Sequence, residues 1–296
     1  MTPVFESISN EGLSLIANAV KDTPSAFCDF SPFVLYFWSD YNKTEYAFSD
    51  TNVLYSYKIR GGTCYSFQGD TEKSIDALFN TTSQDNIVLI LISDSQLKEI
   101  ENNNKYKILE KTANEDWMDY VYLGSDLSSF SGKRFSGQRN HTNKFIANNP
   151  DWTCEKITSS NVEEVKSFWK SLSENIENMD ETALYEREKL FEFLDGFGKI
   201  KPLEKMTGAL IRAKGEIVSF AFGEIIGDTL FVHVEKARRD VQGAYQMIVR
   251  EFAKLNNAQF INREEDMGIE GLRISKNSYH PIRKEKKYRI TLEKRT

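Results

Sequence analysis

The chain has 296 residues, of which 40% are hydrophobic and 28% charged, and its net charge is −6. That length and apolar content suit two ordinary globular domains, and the acidic balance argues against a general nucleic-acid binder. The longest apolar run, Ile87 to Ile92, has six residues where a membrane helix needs about 20. The start, MTPVFESISN, lacks the basic and apolar regions of a secretory signal, so a cytoplasmic, bacterial protein without a transmembrane segment is expected.

Residues 11–21 carry the spacing of an amphipathic helix, and the aromatic run Phe33 to Trp38 follows Ser31-Pro32. Stretches with strand character come next, Glu45 to Phe48, Val53 to Ile59 and Cys64 to Phe67, with a hairpin-turn signal in Gly61-Gly62. Thr71 to Phe79 reads as a helix and Ile87 to Ile92 as a buried strand. Ser93 with Gln96 forms a capping-box pattern for a helix through about Asn102. Tyr106 to Glu110 and Asp119 to Leu123 read as two more strands, so the first half is mixed α/β.

The stretch 128–150 breaks this rhythm with glycines, serines, Lys133, Arg134, Arg139, Lys144 and no acid, and reads as a basic connection containing a helix near Arg139 to Ala147. Beyond it come a strand at Thr153 to Ile157 and a helix opened by a Ser160/Glu163 capping box. A second helix runs from Glu181 to Leu194. Three strands joined by hairpin turns follow, Thr207 to Ala213, Ile217 to Ile225 and Thr229 to Val234. Val241 to Leu255 is a helix, Phe260 to Asn262 a strand, Gly268 to Lys276 a short helix and Tyr288 to Leu292 a last strand. This order, β-α-α-β-β-β-α-β-α-β, is that of the GNAT fold, with a parallel crossover expected through the long helix.

Cys28, Cys64 and Cys154 are widely separated and odd in number, and show neither a disulfide framework nor zinc-ligand spacing; they read as buried thiols, and no metal is expected. Charge is uneven. From Arg273 to Thr296 nine Lys/Arg face two acids, a local +7, which leaves −13 for the remainder. Together with 128–150 this suggests a local anionic ligand such as a phosphate.

Several stretches resemble the phosphatidylglycerol lysyltransferase C-terminal domain family. They are Lys133-Arg134 with Arg139 to Phe145, Val232 to Ala237, Gly243 to Gln246, Asn262 to Gly268, and Gly271-Leu272-Arg273 with Lys276 and Ser278 to Pro281; Asp29-Phe30 and Trp38 are similar to its N-terminal part. The resemblance implies an α+β fold of two tandem GNAT-like (acyl-CoA N-acyltransferase) domains, each a mixed sheet flanked by helices. The expected division is 1–127 for the first domain, 128–150 for the basic connection and 151–296 for the transferase domain. Membrane-embedded members carry a large transmembrane portion ahead of this domain; here the resemblance implies the catalytic architecture, an amine or hydroxyl attacking an activated carbonyl.

In that architecture His233 or Glu235, two apart on a strand and so expected on one face, is the general base, and Tyr279 is the general acid. Gly243, preceded by Arg239, opens the helix whose N-terminus would hold phosphate, although the usual coenzyme A loop is not kept around it. After the apolar strand that ends at Asn262, the three acids Glu264, Glu265 and Asp266 could bind the positive amino group of an aminoacyl moiety or form a polar loop, and Arg263 could pair with them or contact phosphate. Arg273 and Lys276, three apart on a helix, would clamp phosphate, as would Lys236, and Arg139, His141 and Lys144 would close over the same place. The leading reading is an acyl- or aminoacyl-transferase whose anionic donor is aminoacyl-tRNA or acyl-CoA, with no tightly bound cofactor and a small-molecule or lipid acceptor. The alternatives are an acyl-CoA-dependent N-acyltransferase of a small amine and a non-catalytic binding module of the same fold.

Overall fold

A computed structural model describes residues 2–21, 25–59, 62–174 and 179–295. In chain order the elements begin with β1 (Glu6–Ser7), α1 (Asn10–Ala19), α2 (Pro32–Asn42), β2 (Glu45–Ser49), β3 (Asn52–Ile59), β4 (Gly62–Gln68), α3 (Thr71–Phe79), β5 (Asn86–Ile92), α4 (Asp94–Asn102) and β6 (Tyr106–Ala113). They continue with β7 (Asp119–Leu123), α5 (Gly124–Ser129), α6 (Ser136–Asn148), β8 (Thr153–Lys156), α7 (Val162–Glu174), α8 (Glu181–Gly196), β9 (Met206–Ala213), β10 (Glu216–Ile226) and β11 (Thr229–Ala237). The last are α9 (Ala244–Asn256), β12 (Phe260–Asn262), α10 (Glu270–Ser278), β13 (Arg283–Glu285) and β14 (Tyr288–Lys294). Among the described residues no helix is long and apolar enough to cross a membrane.

Two compact units result. The first comprises 1–119, 265–269 and 284–296, the second 120–264 and 270–283. This differs from the expected division at 127 and 150, because distant segments complete each sheet. In the first unit the strands run β1-β2-β3-β4-β5-β14-β6. Ser31 starts α2 by accepting from Val34 N–H, with Pro32 at the first helical position, and the Ser93/Gln96 capping box is formed as expected. The Gly61-Gly62 turn falls partly outside the described residues.

The strand expected to end the second domain's sheet, β14, instead lies between β5 and β6, antiparallel to both. Ile290 and Leu292 alternate inward and are fully buried with Leu89 and Ile92. Each such side chain contributes roughly 1.5–3 kcal/mol on burial, which is why this segment leaves its neighbours in sequence. The basic stretch from Arg273 onward is therefore built into helix and strand.

In the second unit β7-β12-β11-β10-β9-β8 are consecutive neighbours. The hairpins β9–β10 and β10–β11 form where turn residues stand between alternating strands. The crossover through α9 makes β12 parallel to β11. One core lies between this sheet and α9, the other face packs Phe220 and Phe222 against Phe168 and Phe193.

The segment 128–150 is not a connection. Phe130, Phe135 and Phe145 are fully buried in the α9-side core, and α6 is an integral helix of the unit. Three aromatics carry that burial inside a polar composition, which concealed it. The Ser160/Glu163 capping box is also absent: Ser160 Oγ bonds Thr158 Oγ1 at 2.7 Å, and Asn161 Oδ1 takes Thr158 N–H before α7 begins.

Candidate functional site

The site forms where two parallel strands separate. The β11–β12 register holds Thr229↔Phe260, Leu230↔Ile261 and Phe231↔Asn262, and no further pair. Beyond Asn262 the chain follows β7 instead, with Arg263 N–H to Tyr120 C=O at 3.0 Å and Tyr120 N–H to Glu264 C=O at 3.1 Å. The far half of β11, with His233 and Glu235, thus borders a gap facing Arg263 and Glu264. Glu264 has φ 57°, a left-handed conformation that a non-glycine residue adopts at a cost.

A β-bulge decides which side chain faces where. Phe222 opposes Val234 but Gly223 opposes Val232, so His233 is the extra residue on β11. The alternation shifts by one. Leu230, Val232 and Ala237 face the α9 core, as does Ala221, which opposes Glu235. Phe222, opposite Val234, meets Phe193 of α8, and Lys236 reaches Glu186 of α8 and the Trp169 ring of α7. The expectation that His233 and Glu235 share a face holds only for an unbroken strand; here His233 lies with Phe231 on the α8 side and Glu235 on the α9 side.

On the α9 side Glu235 Oε2 accepts from Arg263 Nε at 3.1 Å and Nη2 at 2.5 Å. The Arg263 guanidinium is almost fully buried and lies 4.7 Å over the Tyr279 ring and 5.8 Å from that of Tyr122. Burial alone would lower its pKa, but Glu235 outweighs this and raises it. Arg263 Nη1 is buried with no hydrogen-bond partner. Tyr279 is buried; desolvation pushes its hydroxyl up to about 12 against the opposing pull of Arg263, and its side chain bonds Gln246. Tyr122 Oη donates to Lys276 C=O at 2.8 Å.

On the other side His233 is held between two carboxylates, with Nδ1 2.7 Å from Glu264 Oε1 and Nε2 3.1 Å from Glu224 Oε1. Desolvation lowers the imidazole pKa, but the two hydrogen bonds overcome it and raise it to about 9. A histidine protonated at neutral pH is a clamp, not a free base. Its folded pKa exceeds the ordinary value of 6.5. The stabilisation is therefore complete below about pH 6.5 and lost as pH rises through about 9, on the order of 3 kcal/mol in all. Urea denaturation of the wild type at pH 6, 7.5 and 9 is expected to show that decline, and His233→Gln to flatten it.

The other expected site residues divide. Asn262 is buried and its Oδ1 takes Glu264 N–H at 2.8 Å, fixing the left-handed turn. Lys276 Nζ donates to Arg263 C=O at 2.5 Å, so it positions the loop. Arg273 lies on the same helix, half-buried. Asp266 belongs to the first unit, fully buried, and its Oδ1 caps Gly268 N–H at 2.9 Å. Lys236 is on the α8 side, as above. Arg139 is spent on the carbonyls of Phe130 and Gly132. His141, Lys144 and Arg239 are exposed. Gly243 has φ 86°, and a Cβ there would sit 2.4 Å from His141 C=O and 3.0 Å from Phe145. The glycine is thus required by the approach of α6.

Sequence reasoning missed Glu224 and Gln246 as partners. Glu224 is a buried charged residue late in a largely apolar strand, which is a readable signal.

It also missed a cluster in the first unit, where Cys28, Asp29 and Asp119 offer ligand atoms within 4.8 Å of one another. Lys287 Nζ already stands among them, 2.5 Å from Asp29, 2.6 Å from Asp119 and 3.7 Å from Glu265. Burial disfavours that ammonium, but Asp119 and Asp29 outweigh it and its pKa is raised; burial, reinforced by Asp119, pushes the Cys28 thiol up as well.

Comparison with known proteins bears on both units. The family model described as phosphatidylglycerol lysyltransferase, C-terminal, matches residues 27–291. An uncharacterized protein of Mycoplasmoides gallisepticum is 24% identical over 204 residues, 67% of this chain and 63% of its own, so the chain spans less than two thirds of that relative. A conserved protein of unknown function from Bacteroides thetaiotaomicron superposes with a TM-score of 0.88 at 29% identity, over 98% of this chain and 100% of the other. L-PGS from Bacillus licheniformis gives 0.66 at 13% identity, over 97% and 93%, and FemX 0.56 at 11%, over 96% of each. The fold is that of tandem GNAT-like domains, each a mixed sheet flanked by helices.

Proposed function

Because the chain belongs to the phosphatidylglycerol lysyltransferase C-terminal family, we propose that its second unit transfers an aminoacyl group from an aminoacyl-tRNA ester to an amine or hydroxyl acceptor. The observation that carries this reading is the gap between β11 and β12, where buried Arg263 keeps an unpartnered Nη1 beside Glu235 and Tyr279. An ester carbonyl placed there would receive the Nη1 hydrogen bond as its oxygen gains charge. Glu235 takes the proton of the attacking amine or hydroxyl as the new bond to the carbonyl carbon forms. The ester C–O bond then breaks, and the Tyr279 hydroxyl supplies a proton to the leaving ribose oxygen. His233 and Asn262 act on geometry, holding Glu264 and the turn that carries Arg263.

Aminoacyl-tRNA is favoured over acyl-CoA by Gly243, whose surroundings are filled by α6. The exposed side chains of Lys133, Arg134, His141 and Lys144 give α6 and the turn before it a basic face suited to a polyanion. The test is consumption of the ester in charged tRNA, alongside thiol release from acyl-CoA, by purified protein with added amine acceptors. Salt-sensitive ester consumption with no thiol release is expected. Thiol release alone would move the reading to an acyl-CoA-dependent N-acyltransferase.

A further inference from the structure

Two tyrosines of the second unit lie against the Arg263 guanidinium, Tyr279 at 4.7 Å and Tyr122 at 5.8 Å. Both are buried. Only a tyrosine that still has its hydroxyl proton to give can serve a leaving oxygen. Tyr122 has spent its own: Oη donates to Lys276 C=O at 2.8 Å. What Tyr279 can do with its proton depends on Gln246, whose side chain bonds the Tyr279 hydroxyl.

A side-chain amide can play either part in such a bond. If Gln246 Oε1 took the phenolic hydrogen, Tyr279 would be spent like Tyr122. If Gln246 Nε2–H donates instead, the phenolic hydrogen stays available. The charge balance separates the two cases. Burial raises the Tyr279 pKa, whereas Arg263 and the Gln246 bond lower it. A hydrogen bond that favours the phenolate is one donated to its oxygen, so Gln246 is the donor.

The surroundings hold this pair in place. Tyr279 N–H donates to Lys276 C=O at 3.3 Å, and the ring packs against Phe130 with centroids 5.8 Å apart. With the ring held between Phe130 and Arg263, rotation of the O–H about its C–O bond is the freedom left to the hydroxyl. Gln246 stands in the first turn of α9, between exposed Tyr245 and buried Met247. Gly243 caps that turn with φ 86° and accepts from Met247 N–H at 2.9 Å. The close approach of α6 to Gly243 fixes where α9 begins.

We propose that Gln246 is a positioning residue that acts through Tyr279: its Nε2–H occupies one lone pair of the phenolic oxygen and leaves the O–H turned to the gap where β11 and β12 part. The inference rests on the transfer reading of the second unit. As the ester C–O bond breaks, the Tyr279 O–H bond breaks with it, and the ribose oxygen takes the proton. The Gln246 bond then holds the phenolate. The proton that Glu235 took from the acceptor restores the phenol, so none is gained or lost over the turnover.

Two ester donors of one amino acid test this in the full chain. In charged tRNA the ribose oxygen needs a proton to leave; in the 4-nitrophenyl ester the phenolate leaves without one. Gln246→Met is expected to lower kcat on charged tRNA about tenfold or more, with KM little changed. On the nitrophenyl ester it is expected to lose about threefold or less, which also reports that the variant is folded. In a Tyr279→Phe background the same change is expected to cost nothing further on charged tRNA. Equal losses on both esters, additive losses in the double variant, or a wild-type rate of Gln246→Met on charged tRNA would each overturn the inference and leave transfer standing. A wild type that does not consume charged tRNA would overturn the transfer reading, and this inference with it.

Discussion

Arg263→Met is expected to lower ester consumption in the transfer assay by about a hundredfold or more, since removing one preorganised donor from a developing oxyanion typically costs that much. Methionine has similar reach and no charge, so the change also strands Glu235, whose side chain is 15% exposed, against Tyr279 and Tyr122. Breaking a buried ion pair from one side costs about 3–5 kcal/mol. Stability and catalysis can be separated with a second change. Arg263→Met with Glu235→Gln removes the stranded charge and is expected to recover about half of the lost stability without recovering activity. Denaturant melts and initial rates on the same preparations measure both. Activity within threefold of wild type in a folded Arg263→Met protein would remove Arg263 from the mechanism.

Lys287→Met should destabilise the first unit by about 3–5 kcal/mol at pH 7. The lysine is 4% exposed and faces fully buried Asp119 together with Asp29 and Glu265. Its folded pKa is raised, so in the wild type its contribution is complete below the unfolded value near pH 10.4 and is lost only as pH rises through the still higher folded value. The wild type is therefore insensitive to this group between pH 6 and 9. The variant behaves differently, because its carboxylates escape mutual repulsion by taking up protons. The difference in melting temperature should shrink as pH falls from 7 to about 5. Asp119→Asn in the Lys287→Met background should recover part of the loss at pH 7. A gap that does not change with pH would mean that packing, not charge, is what Lys287 provides.

Much of the architecture was legible in the residues. The hairpins β9–β10–β11 have alternating strands separated by Lys214-Gly215 and Gly227-Asp228, and nothing distant competes for them. The Ser93/Gln96 box is equally local. What escaped depends on partners far along the chain. Strand character was evident at Tyr288 to Leu292, but only the open edges of β5 and β6 determine where it pairs. Phe130, Phe135 and Phe145 were hidden by basic and polar neighbours. At the candidate site the charged residues that end apolar strands, costly unless used or paired, do pair: Glu235 with Arg263 and His233 with Glu264. Their facing was misread at one point, because a single bulged residue on β11 reverses the alternation that placed His233 with Glu235. Asp119 and Lys287, 168 positions apart, show no pattern that would join them before the chain folds.

The position of β14 between β5 and β6 also sets a schedule for synthesis. Residues 1–113 emerge early with β5 and β6 lacking the strand that joins them, and that strand arrives only after some 170 further residues have been translated. At about 5–20 residues per second the wait lasts roughly 9–35 s. During it the edges of β5 and β6, the first carrying the apolar run from Ile87 to Ile92, stand unpaired and open to wrong partners. The second unit has its strands from β7 to β12 in hand before then. The sheet of the first unit is thus completed after the second unit has these strands, and translation stalled near residue 285 would leave β5 and β6 without β14.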